Sequence, residues 1–403
     1  MSFLSNLAQR SWTNVKMHFS KINSDKKLFT PGPLGCSRTV KEAMLRDLGS
    51  RDEEFISTVK LIRQKLVDIA DVPEDEFTTI LLQGCGTYAV EAVLQTSAPR
   101  EGGRVLILLN GAYGRRMKKV CDVTGIAADV AEFPEDGIVD VAKVKELLQR
   151  GVQYSVVAVV HCETSSGVIN PVEELGRTVK QYQPQATYFV DAMSSFGAVP
   201  IKMQDGQIDF LVSSANKCLQ GVPGFSFVIA RKSELLRCKG NSRSLSFDLV
   251  DQYEGLEGNG QFRFTPPTHT LLAFVQALEE FQEEGSVSGR ARRYKQNCIV
   301  LQRGMEELGF SRLLSDDCAG YIITSFYYPH HPRFNFDEFY HQLSDLGQVI
   351  YPGKLTNANC FRIGNIGHLY PSDMKYLLKC IARVLDNMGV PVPVPVPVPE
   401  SAS

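Results

Sequence analysis

Apolar and polar positions alternate in blocks along most of the chain. Short continuous apolar runs at residues 78–82, 104–109, 155–160, 187–190, 210–213 and 224–229 read as strands buried on both faces. Between them, residues 88–96, 114–123, 141–149 and 172–182 space their apolar positions three and four apart, which predicts amphipathic helices. Residues 39–46 and 53–70 are two further helices, with Ser37 or Thr39 available as a cap for the first. Strands alternating with crossover-length helices predict a mostly parallel sheet covered on both faces, with ligands at the carboxyl ends of its strands.

The grammar changes after residues 251–264, which are rich in glycine and polar side chains. Residues 268–283, with Thr268 as cap, and 290–308 predict long helices. Strands at 321–328, 348–350 and 360–363 and a helix over 371–388 follow. The expected organisation is therefore an N-terminal arm over 1–27, a large domain over 28–269, a smaller α+β domain over 270–389 and a tail over 390–403. In that tail Pro alternates with Val, so every second N–H is missing; it predicts an extended segment outside the folded body.

Composition narrows the partners. The 403 residues carry 43 basic and 45 acidic side chains with no long basic block, which gives a nucleic-acid surface little support. No run of 18 apolar residues suggests a membrane span. The 10 cysteines are scattered singly without a CxxC pair, a pattern of reduced thiols inside a cell. The first 24 residues hold Arg10, Lys16 and Lys21 but no acid, as in a mitochondrial transit peptide or a subunit-wrapping arm, so cytoplasm and mitochondrion are both open. The 7 histidines offer no compact metal-ligand spacing.

Three segments carry candidate chemistry. In Gln83-Gly84-Cys85-Gly86-Thr87 a glycine-punctuated strand end meets a helix start, where backbone N–H groups and the Thr87 hydroxyl suit a phosphate; a plain structural turn reads the same way. Asp191 ends a buried-looking strand, placed to pair with a protonated ring nitrogen, to cap a helix or to hold a metal. Lys217 follows another such strand and precedes a glycine-rich loop, where burial would expose a neutral amine, although a lone lysine is ordinarily a solvated charge.

These segments, with Phe29-Thr30-Pro31-Gly32-Pro33, His161-Cys162-Glu163-Thr164, Asp191-Ala192-Met193-Ser194-Ser195-Phe196-Gly197, Ser214-Ala215-Asn216-Lys217-Cys218 and Phe361-Arg362-Ile363-Gly364, resemble the class V branch of fold-type I aminotransferases over residues 28–389. The resemblance implies an α/β fold with a large, mostly parallel-sheet domain and a smaller α+β domain, a homodimer, and pyridoxal 5'-phosphate as cofactor. Lys217 would carry the cofactor and Asp191 would partner its ring nitrogen. Gly86 and Thr87 would cradle its phosphate, with Thr265 or Thr268 reaching over from the other subunit. Tyr113 would stack on the ring and Thr164 would touch its hydroxyl. Arg362 would grip the carboxylate of a 2-oxo acid, and Ser37, Arg38 and the Gly32 to Gly35 loop would approach the amino donor. The activity implied is amino transfer from 2-aminoethylphosphonate to pyruvate. Alanine–glyoxylate or serine–pyruvate transfer, desulfuration using Cys360, and a cofactor-free scaffold of the same fold are the alternatives. Cys85 departs from the family, which commonly has Ser there.

Overall fold

The computed structural model describes residues 25–355 and 358–394. The expected N-terminal arm, up to residue 24, lies outside the described residues.

The predicted apolar runs become the middle of a seven-stranded sheet. Its strands are β2 (Phe77–Gln83), β3 (Arg104–Leu109), β4 (Ala127–Glu132), β5 (Val156–Val160), β8 (Thr187–Asp191), β9 (Phe210–Ser214) and β10 (Phe225–Arg231). The remaining short strands are β1 (Lys27–Leu28), β6 (Cys162–Glu163) and β7 (Val168–Ile169) before β8, and β11 (Ile323–Tyr327), β12 (Gln348–Val349), β13 (Tyr351–Pro352) and β14 (Cys360–Gly364) after β10. Spatial order in the large sheet is β2-β10-β9-β8-β5-β3-β4, and every neighbouring pair is parallel except the two that involve β10. All five residues of β5 and all five of β8 are buried, as a strand packed by helices on both faces requires. Each such Val or Phe stabilises the fold by about 1.5–3 kcal/mol relative to exposure.

Helices Glu53–Ile69, Gly86–Ser97, Ala112–Thr124, Val141–Leu148, Val172–Tyr182 and Thr268–Glu283 cover the sheet. Several are held at their starts by short acids: Asp52 accepts from Glu54 N at 2.9 Å, and Asp140 from Ala142 N at 2.9 Å.

A second apolar cluster gathers Leu301, Phe326, Phe339, Phe361, Leu377 and Ile381 from the C-terminal helices and the antiparallel sheet β11-β14-β13. It also takes in Phe29. The reason is β1, which runs parallel to β12, so that Phe29 N donates to Val349 O at 2.8 Å.

Two expectations are corrected, and two elements were not foreseen. Thr268 is the first residue of its helix, with Pro267 at the cap position and no side-chain cap. The glycine-rich 251–264 stretch contains most of a helix, Leu249–Gly258, capped by Asp248 through Val250 N at 3.0 Å. Strand β4 was not foreseen: it lies at the edge of the sheet, and its partly exposed A-A-D-V-A-E pattern carries no continuous apolar run. Finally, the Pro-Val segment does not leave the folded body at residue 390. Val390 and Val394 are buried in the second cluster, and Val394 N donates to Leu308 O at 2.8 Å.

Candidate active site

Strand direction brings the chemistry to one edge. Because β10 runs antiparallel to both neighbours, the carboxyl ends of β2, β9 and β8 lie together, with Gln83 opposite Phe225 and Asp191 opposite Val212. The β9–β10 connection carries Lys217, the turn after β2 carries Gly86 and Thr87, and the turn after β3 carries Tyr113. A cavity of about 270 Å³ opens there, lined by Gly32, Gly86, Thr87, Tyr113, Arg116, Asp191, Ser214, Asn216 and Lys217 among others. Its size is at the lower end for a small-molecule site.

The Lys217 ammonium donates to Pro31 O at 2.7 Å. Burial lowers its pKa, with Tyr113, Cys218 and Asp191 acting the other way. Gly32 makes that approach possible: its φ is +128°, and a Cβ there would stand 2.5 Å from Lys217 Nζ. Asp191, 5% exposed, accepts from Met193 N at 2.9 Å. Burial nevertheless pushes its carboxyl up to about 6, the Met193 N–H opposing. An amine and a carboxyl are thus held in one cavity, each with its charged form disfavoured by desolvation.

The other end of the cavity suits an anion. Helix Gly86–Ser97 begins with Cys85 at its cap position and no side-chain cap, so first-turn N–H groups keep their hydrogen-bonding capacity. A Cβ on Gly86 would strike the end of the Met193 side chain, which would have to move aside. Arg116 donates to Thr87 Oγ1 at 3.1 Å and adds a cation that the sequence reading missed; on an exposed helix face it looked like any solvated charge.

The remaining predicted residues separate. Thr164 Oγ1 is buried with no hydrogen-bond partner among the described residues, and Thr164 is not among the residues that line the cavity. Arg362 is buried; its Nε donates to Pro352 O at 2.9 Å and its Nη1 to Thr164 O at 2.6 Å. Only the outer, Nη side of its fork is left for a carboxylate. Thr265 is exposed and does not line this cavity; Gln83 holds its carbonyl, Nε2 donating at 3.1 Å. Thr268 likewise lies outside the lining, its hydroxyl 3.4 Å from His269 Nδ1. Ser37 and Arg38 also lie outside it. Ser37 caps helix Arg38–Glu42 by accepting from Val40 N at 3.1 Å and donates to Glu280 at 2.7 Å; Arg38 pairs with Glu42 at 2.5 Å in solvent. Neither lines the cavity as the expected approach to the donor would require, and the contacts of both are structural. Cys360, 1% exposed with its thiol pKa raised by burial, is not aimed at this cavity as a desulfurating thiol would be. Among the described residues, no group of three or more His, Cys, Asp or Glu is placed to hold a metal.

A lysine on the β9–β10 turn, an acid at the end of β8 and an anion cradle after β2 define a class of enzyme, and the chain belongs to it: the Aminotransferase class-V family, whose model matches residues 37–336. Membership implies an active site that binds pyridoxal phosphate. The chain is similar to a 2-aminoethylphosphonate–pyruvate transaminase of Klebsiella pneumoniae, 51% identical over 356 residues, 88% of this chain and 96% of that protein. It is also similar to a bifunctional phosphonoacetaldehyde hydrolase/aminoethylphosphonate transaminase of Clostridioides difficile, 44% identical over 92% of this chain and 58% of that protein. Among solved structures, it shares its fold with ureidoglycine-glyoxylate aminotransferase of Bacillus subtilis, at TM-score 0.83 and 21% identity over 92% of this chain and 95% of that one. Aspartate aminotransferase of Thermus thermophilus has the same fold, at TM-score 0.80 and 23% identity over 90% of this chain and 99% of that one. Among the described residues no helix is long and apolar enough to cross a membrane.

Proposed function

We propose that this chain transfers the amino group of 2-aminoethylphosphonate to pyruvate, giving phosphonoacetaldehyde and L-alanine. The observation that carries the substrate choice is identity of 51% across 96% of a protein named for that reaction. The cavity supports the chemistry.

Pyridoxal phosphate, when bound, supplies an aldehyde for the amine and a ring that draws electrons from the carbon beside it. Gly86 and Thr87 N–H groups, the Thr87 hydroxyl and Arg116 would hold its phosphate, and the unpartnered Thr164 hydroxyl would be the candidate partner of its ring hydroxyl. Asp191 keeps the ring nitrogen protonated: a cation beside the carboxyl offsets the desolvation that otherwise raises its pKa. Lys217 anchors the cofactor and then moves the proton. With its charged form disfavoured by burial, Nζ is a ready base for the carbon bearing the substrate nitrogen. Tyr113 packs over the ring, and the free side of Arg362 orients the carboxylate of pyruvate. In a homodimer, Thr265 and Thr268 would reach a partner subunit's cofactor; Gln83 Nε2 donates to the carbonyls of Phe264 and Thr265, which supports this reading by fixing the exposed start of their segment.

Purified protein given 2-aminoethylphosphonate and pyruvate should release phosphonoacetaldehyde and alanine, and Lys217→Ala should abolish both this and the visible absorbance of the bound cofactor. Amino transfer from serine or alanine with none from 2-aminoethylphosphonate would replace this substrate assignment by the serine–pyruvate or alanine–glyoxylate one. A protein that takes up no cofactor would leave only the scaffold reading.

A further inference from the structure

Two cations lie on one aromatic ring that lines the cavity, Tyr113. The Arg116 guanidinium lies 5.0 Å from the Tyr113 ring centroid and Lys354 Nζ lies 4.6 Å from it. Arg362 lies over another ring, its guanidinium carbon 5.4 Å from the Tyr351 centroid. Crowding like charges at one place is unfavourable unless an anion joins them.

Their commitments differ. Arg116 is turned to the Thr87 hydroxyl, at the phosphate end. Arg362 has given Nε and one Nη1 hydrogen to the carbonyls of Pro352 and Thr164. Lys354 is exposed and, among the described residues, has no ion-pair partner. Local desolvation, then Arg116 and Arg362, hold its pKa below the ordinary lysine value. Glu163 is the nearby acid, but its oxygens already accept from Tyr113 N at 3.1 Å, Ser165 N at 3.1 Å and the Ser165 hydroxyl at 2.5 Å. It is therefore poorly available to neutralise Lys354.

We infer that Lys354 is the specificity-determining residue that distinguishes a phosphonate from a carboxylate in the amino donor, its ammonium pairing with the third oxygen of the phosphonate. The inference rests on the donor being a phosphonate. A carboxylate offers two coplanar oxygens and one charge, which the open side of a planar guanidinium satisfies by itself. A phosphonate is tetrahedral, carries up to two charges and leaves an oxygen out of that plane. A point charge on a flexible four-carbon stem can reach this oxygen, and withdraws to solvent when the smaller acid binds. One pocket then serves both half-reactions, with Arg362 common to both and Lys354 engaged in one.

The test uses the cofactor-loaded enzyme and two ligands that lack the reacting amine, ethylphosphonate and propionate, with binding measured by titration calorimetry. Lys354→Gln should weaken ethylphosphonate by about tenfold or more while shifting propionate by less than about twofold, and Lys354→Arg should restore most of the loss. Lys354→Met is the second neutral variant, and an unchanged propionate affinity reports an intact site. Equal weakening of both ligands, or of neither, overturns the inference. Product formation from 2-aminoethylphosphonate is assayed separately on the wild type. Turnover of that donor with no effect of Lys354→Gln sinks this inference alone; no turnover sinks the substrate assignment, while a Lys354-dependent ethylphosphonate affinity would still identify the anion site.

Discussion

Arg116 donates to the Thr87 hydroxyl at 3.1 Å, linking the helix that follows β3 to the helix start that follows β2. Two sequence-distant turns thereby share one cation at the anion end of the cavity. Replacing Arg116 by Gln removes the charge-assisted contact while keeping a polar, uncharged side chain. Contacts of this kind are worth about 1.5–3 kcal/mol, so cofactor affinity should fall roughly tenfold to a hundredfold. Loss of visible absorbance on dialysis measures it; retention equal to wild type would exclude Arg116 from the phosphate site.

Asp191 gives a pH prediction. Its carboxyl is raised by burial from the ordinary 3.8 to about 6. Between those values the folded protein binds more protons than the unfolded chain, so in protein stripped of cofactor stability falls as pH rises through this window and stays lowered above it. The shift corresponds to at most about 3 kcal/mol. Stripped Asp191→Asn should therefore melt higher than stripped wild type near neutral pH, and the difference should vanish in acid below the window. The same variant should lose roughly a hundredfold or more in turnover. Identical melting curves at neutral pH would count against a buried, desolvated carboxyl.

Gly32 is set by the lysine it faces. Its φ of +128° and the 2.5 Å separation between a built Cβ and Lys217 Nζ predict that Gly32→Ala strains the backbone by about 1–3 kcal/mol and displaces the amine. Denaturant unfolding reads the first effect. A lower turnover in protein that remains folded reads the second.

Ser37 and Arg38 separate a structural role from a substrate role. Ser37→Ala should destabilise by about 1 kcal/mol through loss of the cap to Val40 N and of the bond to Glu280, with KM for the amino donor unchanged. Arg38→Gln should alter neither, since an exposed i,i+4 pair contributes at most a few tenths of a kcal/mol. A raised KM in either variant would return these residues to the donor site.

The sheet was readable because its strands are buried on both faces: the V-V-A-V-V of β5 has no polar position to confuse the period. Edge strand β4 was not, since a strand covered on one side only mixes Asp129 and Glu132 with alanines. Lys217, Asp191 and Gly86 were legible as strand-end residues in quoted motifs, and the structure gathers all three around one cavity. Arg116 and Lys354 were illegible for the opposite reason. A surface cation carries no local signature, and only the folded chain brings both to the Tyr113 ring. Ser37 shows the reverse difficulty: its motif neighbourhood points to substrate, whereas the structure pairs its hydroxyl with Glu280, distant in sequence.

The stretch from Phe29 to Gly32 works as a tether between two bodies of packing. At one end Phe29 is fixed among the C-terminal aromatic side chains, and its carbonyl accepts from Gly364 N at 2.8 Å, two residues beyond Arg362; two residues on, the Pro31 carbonyl receives the Lys217 amine. The acceptor of the Lys217 amine and the strand that carries Arg362 are therefore joined through three consecutive residues, so that a substitution which shifts Phe29 would act on both at once.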